Sequence, residues 1–404
     1  MISTGPFHTA TVDHQGAVWV CGLNQFGQLG LGDTDNRDSF TRILTLPPIH
    51  TVCTGGGHTL ALDYSGFVWS FGLATYGQLG QGADTETCKR EKYCSIPYLV
   101  PGLTRITALA GGKFHSLALD ENGVVWAWGC NRNGQLGVGD TIDRPTPVAI
   151  PFPTAISAIS AGWYHSAVVD QQGNVWTFGY NDSGQLGIGT RFDQELPTRV
   201  NVPHAVEVKC GQYFTVVNSS QGHLWAFGEN GSGQLGQGDT QPRLLPQAVP
   251  LNNIIHLSTG ETHTMALDDQ GAVWAFGSNK SGQLGLGDSR NRLRPTASTF
   301  FSGVRAISAG NSYSFVVDAN GYLWSCGDSL HGKLGHGATS RATPFPQQVP
   351  HLRLFSFPVK SSRNNTALCT PLTRESLPNR WWRVRFLSSN RKSGGHSATT
   401  ARAK

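Results

Sequence analysis

Short apolar runs alternate along this chain with turns centred on glycine and aspartate. One such run reads Ser116-Leu-Ala-Leu-Asp120, and a tight polar turn separates it from a second, Val124-Val-Trp-Ala-Trp128. Runs of four to six residues bounded by Gly and Asp predict strands. No stretch carries a sustained helical period flanked by caps. The turn has the form Asp-x-x-Gly, opened by Asp13, Asp63, Asp120, Asp170, Asp268 and Asp318, with Ser219 at the equivalent place in one copy. Asp bonds the backbone two residues on and Gly accepts positive φ, which suits a hairpin loop. A further strand is predicted before this pair, as in Ala155-Ile-Ser-Ala-Ile-Ser160. A Pro-flanked strand such as Pro147-Val-Ala-Ile150 completes four per unit.

The unit recurs seven times. Each copy reads Gly-x-x-His-[Ser/Thr], an apolar run, Asp-x-x-Gly, an apolar pair ending in Trp, and Gly-Gln-Leu-Gly-x-Gly. Trp19, Trp69, Trp126, Trp176, Trp225, Trp274 and Trp324 mark the copies, with steps of 50, 57, 50, 49, 49 and 50 residues. Self-similarity at so long a period decides architecture before any residue chemistry. Seven equal four-stranded sheets predict radial closure, which protects most strand edges. The expected fold is therefore all-β, a seven-bladed β-propeller of four-stranded blades. A composition of 404 residues with 50 Gly and 14% charged residues fits a turn-rich all-β domain. Dividing the chain into domains by length alone is then inappropriate.

The motifs Gly-x-x-His-[Ser/Thr], Trp-x-x-Gly-x-Asn and Gly-Gln-Leu-Gly-x-Gly together resemble the regulator of chromosome condensation repeat family over residues 1–350. The resemblance likewise implies a seven-bladed propeller. Departures are few. Phe214 and Tyr313 replace His, Ala74 and Ser329 replace Asn, and Lys333 replaces Gln. They suggest motif groups that stabilise each blade individually rather than a catalytic set.

The expected domains are a propeller over 1–358 and a basic low-complexity tail, disordered, over 359–404. Gly5-x-x-His8 follows Met1 almost at once, so the first unit lacks a leading strand. Val349–Phe357 aligns with Ala155–Ser160 and its neighbours. The segment at about 349–358 is therefore expected to supply that strand and close the ring, the alternative being a lost amino terminus.

The recurring His8, His58, His115, His165 and His263 have two readings. A zinc site needs about four ligands converging on one point, whereas equivalent positions on different blades lie around a ring. The imidazoles are instead expected to bond strand ends within their own blade, and no metal is expected. The Gln of Gly-Gln-Leu-Gly is expected to satisfy backbone groups where the chain turns. No Gly-x-x-x-x-Gly-Lys-[Ser/Thr] loop occurs, and no strand–loop–helix unit is available, so no nucleotide cofactor is expected. Of eight cysteines, Cys21 and Cys326 fall at core Phe or Trp positions, and Cys88 and Cys94 share a loop in which they could pair under oxidising conditions. With no Cys-x-x-Cys and no signal peptide, the expected setting is intracellular, cytoplasmic or nuclear, with free thiols. No apolar run has transmembrane length. No catalytic constellation with a recognisable local signature is present.

If the repeat builds the scaffold, partner choice lies in what varies. The connector from Gly77 to His115 spans 38 residues against 30 or 31 elsewhere, and carries the charged stretch Lys89, Arg90, Glu91 and Lys92. Family members that act as guanine-nucleotide exchange factors insert a wedge against the GTPase, and this insertion is a candidate analogue; a passive surface loop fits equally. The variable pair inside Gly-x-x-His holds Phe7, Phe114, Trp163, Tyr164 and Tyr213, aromatics suited to anchoring an interface or to packing on neighbouring blades. A plant ultraviolet photoreceptor of the family clusters tryptophans there. Here Trp163 alone has that placement, which counts against photoreception. Asp33, Asp140, Asp239 and Asp288, after Gly-Gln-Leu-Gly-x-Gly, offer acids to a basic partner or cap turns.

The tail over 351–404 holds 11 Lys+Arg and one acid, while the remaining 350 residues hold 20 Lys+Arg and 25 acids. Basic and aromatic residues such as those in Arg380-Trp-Trp-Arg-Val-Arg-Phe-Leu387 suit nucleic acid or an acidic surface. A plain disordered extension is the competing reading. Two function classes follow. The first is a monomeric, non-enzymatic interaction module with a regulatory or adaptor role. The alternative is guanine-nucleotide exchange on a small GTPase, whose basic surface the acidic propeller would meet.

Overall fold

The computed structural model describes residues 1–82, 92–337 and 342–354. These form seven four-stranded antiparallel sheets, each built from one contiguous stretch of chain. The fourth blade is typical. Its strands are Ile156–Ala161, His165–Asp170, Val175–Gly179 and Gln194–Val200. The first strands of neighbouring blades touch one another around the axis, so they are the inner strands.

The apolar alternation packs blades against each other. Each of seven apolar layers draws residues from two consecutive blades. Val168 and Phe178 of the fourth blade join Leu117, Ala127 and Ile150 of the third, and the last layer joins Phe315 and Leu323 to Ile2, Trp19 and Phe40. Burying one such side chain contributes about 1.5–3 kcal/mol, so each blade draws much of its stability from its neighbours. The second Gly of Gly-Gln-Leu-Gly lets this happen. A Cβ on Gly137 would meet the Phe178 ring of the next blade at 2.8 Å, and its φ is +68°.

The ring does not close as the sequence suggests. Ile2–Thr4 is the inner strand of the first blade and pairs with His8–Val12. Thr343–Arg353 is the outer strand of the seventh blade, paired with Tyr322–Gly327. The place that 349–358 was expected to fill is therefore already occupied. Closure is made by contacts between the first and seventh blades instead: Thr4 bonds Ser308 at 2.7 Å, the Tyr313 hydroxyl donates to the His8 carbonyl at 2.9 Å, and the Gly337 N–H donates to the Asp38 carbonyl at 2.9 Å. Residues 355–358, the expected boundary at 358 and the basic tail lie outside the described residues. Among the described residues no helix is long and apolar enough to cross a membrane.

The Asp-x-x-Gly turns behave as the pattern predicts. Asp170 Oδ1 accepts from the N–H groups of Gln172 and Asn174, both at 2.9 Å, and Oδ2 accepts from Trp176 Nε1 at 3.1 Å. The same clasp joins Asp13 to Trp19 and Asp268 to Trp274, each at 2.9 Å. It explains the fixed Asp–Trp spacing.

Candidate protein-interaction face

The recurring histidines join blades, not strand ends within one blade. His8 Nε2 meets Thr59 at 2.8 Å, His58 meets Ser116 at 2.9 Å and His115 meets Ser166 at 2.9 Å. His165 meets Thr215 at 3.0 Å and His263 meets Ser314 at 2.8 Å. Thr59, Ser116, Ser166 and Thr215 then donate back to the Gln carbonyl of the preceding blade, Thr215 to Gln185 at 2.8 Å. The Ser or Thr after each His is thus half of the neighbour's bond, a pairing that only tertiary structure creates. Burial drives these imidazoles far below their usual range, His58 to about 4 and the other four to about 3. They are neutral hydrogen-bonding groups. The Gly of Gly-x-x-His is required for room, since a Cβ on Gly162 would lie 2.4 Å from His165 Cε1. Gln135 Oε1 accepts from Asn133 N–H at 2.9 Å, the turn-stabilising role expected for the Gln. Among the described residues no group of three or more His, Cys, Asp or Glu is placed to hold a metal.

The acids after Gly-Gln-Leu-Gly-x-Gly are committed to the scaffold. Asp140 accepts from Asn131 at 3.1 Å, from the Ile142 N–H at 2.9 Å and from Arg144 at 2.6 Å. The Ile142 N–H and the Arg144 guanidinium hold its carboxyl below the usual range. Asp33, Asp239 and Asp288 pair with Arg37, Arg243 and Arg292 in the same way. Lys89, Arg90 and Glu91 lie outside the described residues. Lys92 is exposed at φ 58°, and its carbonyl accepts from the Ala74 N–H at 2.8 Å. That bond takes over from the side chain that accepts from the same backbone N–H in other blades, such as Asp143 on the Asn131 N–H. Cys94 is buried and disulfide-bonded, while Cys88 lies outside the described residues. Cys21 and Cys326 are buried and free, as their core positions predict.

The variable pair inside Gly-x-x-His assembles something different. These loops surround the axis at one end, lining a cavity of about 80 Å³ with Lys113, Trp163, Gln212 and Glu261 on its wall. Four of the five predicted aromatics come together there across the third to fifth blades. Phe114 lies 6.2 Å from Tyr164, Trp163 lies 6.3 Å from Tyr164, and Trp163 lies 5.8 Å from Tyr213, ring centre to ring centre. Phe7 sits apart on the first blade, 38% exposed. Two rings were missed by sequence reasoning. Tyr76 lies 5.0 Å from Phe114, and Tyr180 bridges Tyr164 and Tyr213 at 6.3 and 5.8 Å. The signal was available, because both occupy variable positions inside fixed-length motifs at the same end of their blades. The Lys113 ammonium stands 3.6 Å from the centre of the Trp163 ring, a cation–π arrangement. All six rings are half-buried, leaving part of each to solvent.

This architecture defines a seven-bladed propeller of repeated blades with an aromatic loop face. The chain matches the RCC1-like domain over residues 105–367 and the regulator of chromosome condensation (RCC1) repeat over 15–62 and 65–119. It belongs to the RCC1 repeat family. It is 33% identical over 149 residues to the ultraviolet-B receptor UVR8 of Arabidopsis thaliana, covering 36% of this chain and 33% of that one. The secretion-regulating guanine nucleotide exchange factor of Bos taurus is 27% identical over 129 residues, 32% of this chain and 27% of the relative. These alignments span about a third of the relatives' length. Among solved structures, Prp20p from Saccharomyces cerevisiae, described with its binding properties to Gsp1p and histones, superposes with a TM-score of 0.76 at 24% identity, covering 85% of this chain and 88% of that one. Human WBSCR16 does so at 0.72 and 22% identity, covering 84% and 94%. At these identities the likeness concerns the fold.

Proposed function

We propose that this chain is a regulatory or adaptor module that binds a protein partner on its Gly-x-x-His face, acts as a monomer and works in the cytoplasm or nucleus. One observation carries the reading. Positions free to vary within the repeat converge there on six touching aromatic rings, whereas the predicted acids are spent on turns and the recurring histidines on blade seams. Clustered, partly exposed Trp and Tyr side chains are the commonest energetic anchors of protein interfaces. The test is photo-crosslinking from a benzoylphenylalanine placed at Phe7 or Leu330 beside the face, with partners identified by mass. Adducts that vanish in Trp163→Ala/Tyr213→Ala and persist in Tyr64→Ala, on an exposed turn of the second blade, support it. Adducts indifferent to the aromatic pair refute it.

Guanine-nucleotide exchange on a small GTPase is the second reading. The similarity to a guanine nucleotide exchange factor over a third of the chain favours it. The partner would then be bound best without nucleotide, with loss of its magnesium and phosphate contacts. Release of a fluorescent GDP analogue from a panel of small GTPases tests this directly. No acceleration by the purified protein leaves the adaptor reading alone.

A further inference from the structure

Beside the aromatic cluster stand two carboxylates that make no salt bridge among the described residues. Glu229 follows the third strand of the fifth blade, and its N–H donates to the Tyr213 carbonyl at 2.9 Å, which ties the two residues' backbones together at this end of the blade. Glu261 occupies in the sixth blade the loop position that Trp163 holds in the fourth, and it lines the axial cavity. Its Oε1 is buried and has no hydrogen-bond partner. Both carboxylates act electrostatically on the Tyr213 hydroxyl, so the three groups share one neighbourhood. Burial raises the carboxyl of Glu229 above its usual range. Burial pushes Glu261 up to about 7, with Lys113 and Lys333 only partly offsetting it.

Neighbouring cations do not satisfy them. Lys333 is bound to Asp328 at 2.7 Å and to the Asn311 carbonyl at 3.3 Å. Lys113 is held over Trp163. By contrast, Glu207, half-buried on the same seam between the fifth and sixth blades, has His256 at 2.9 Å and Lys209 at 3.5 Å, and these keep its carboxyl low despite its desolvation. A carboxylate half-removed from water and left unpaired costs stability unless a partner returns the missing charge.

Resting on the reading of this face as the docking surface, we infer that its partner presents an arginine, whose guanidinium lies on Tyr213 and forks between Glu229 and Glu261. A guanidinium is flat, stacks on aromatic rings and donates in pairs to carboxylates, whereas an ammonium offers a point charge. The stacking geometry is already realised internally, since Arg132 lies 5.1 Å from the Tyr76 ring centre. Charge complementarity agrees, because residues 1–350 carry five more acids than bases.

The experiment uses the full chain at near-physiological salt and pH 7.5. Fluorescein-labelled hexa-arginine, hexa-lysine and hexa-glutamate are titrated with it and followed by anisotropy. Hexa-arginine is expected to bind severalfold more tightly than hexa-lysine and far more tightly than hexa-glutamate. Glu229→Gln/Glu261→Gln is expected to weaken hexa-arginine at least tenfold. Glu121→Gln, an exposed acid elsewhere, should leave it unchanged. Because the replaced carboxylates make no salt bridge among the described residues, the double variant should melt at or above the wild-type temperature, which separates lost binding from lost fold. Hexa-arginine affinity unchanged by the double variant, or lowered equally by Glu121→Gln, overturns the assignment. If partner crosslinks still vanish in Trp163→Ala/Tyr213→Ala, the docking surface survives and only its arginine specificity falls.

Discussion

The seam between the fourth and fifth blades and the seam between the fifth and sixth share one backbone frame but hold together differently. At the first, His165 reaches Thr215 at 3.0 Å, and Thr215 reaches the Gln185 carbonyl at 2.8 Å. At the second, Phe214 stands where the imidazole would be, and Thr264 keeps only its bond to the Gln234 carbonyl at 2.9 Å. The second seam keeps its polar links nearer the inner strands. Glu207 accepts from the Leu257 N–H across the seam at 3.1 Å and pairs there with His256. Thr259 donates to the Cys210 carbonyl at 2.9 Å. A propeller seam therefore needs apolar burial and some polar link, but not one particular link. That is why a repeat this regular tolerates Phe214 and Tyr313.

The largest expected effect is acid unfolding driven by the histidine seams. The folded pKa values lie near 3 to 4, below the unfolded value of 6.5. Below pH 6.5 the unfolded chain takes up protons that the fold refuses. Stability is therefore complete above that pH and lost as pH falls towards the folded values. Each imidazole contributes about 1.4 kcal/mol per pH unit. Five together reach about 7 kcal/mol per unit, against a typical total of about 5–15 kcal/mol. Urea titrations at pH 7.5, 6 and 5 should show a steep drop, shallower in His165→Phe. A midpoint constant down to pH 5 contradicts buried neutral imidazoles.

Next in size is Gly162→Ala. The added Cβ would fall 2.4 Å from His165 Cε1 and 2.6 Å from the Gly211 carbonyl, at an expected loss of about 3 kcal/mol read from the urea midpoint. Glu207→Gln at the other seam should lose about 2 kcal/mol, below the value for a fully buried pair because Lys209 and His256 keep about a fifth of their exposure. Its loss should shrink in high salt, while that of Gly162→Ala should not. Phe214→His is the smallest change. It gives the fifth blade the common residue opposite Thr264, and calorimetry should find a shift of about 1 kcal/mol or less. A loss several times larger would show that the space beside Thr264 does not accept an imidazole.

Much of the scaffold was legible because the period is rigid. The spacing from Asp170 to Trp176 predicted a turn, and it proved to be a clasp. The Gln of Gly-Gln-Leu-Gly was read correctly as a backbone partner, and Cys21 and Cys326 as core residues. Other readings failed because a single unit does not display its neighbours. Each His was expected to act within its blade, yet its partner lies about fifty residues away on the next one. The ring was expected to close through 349–358, yet Ile2–Thr4, too short to register as a strand by pattern, already held the place.

The face shows the same division. Phe114, Trp163, Tyr164 and Tyr213 were found as variable loop aromatics, but Tyr76 and Tyr180 were not, because they belong to other motifs of the unit. Local sequence determined the strands, the turns and the number of blades, since each depends on residues a few positions apart. Only the closed ring decided which loops share an end, which imidazole meets which hydroxyl, and that Glu229 and Glu261 stand beside Tyr213 with no salt bridge among the described residues. Those contacts join residues from different blades, and radial closure is what brings them together.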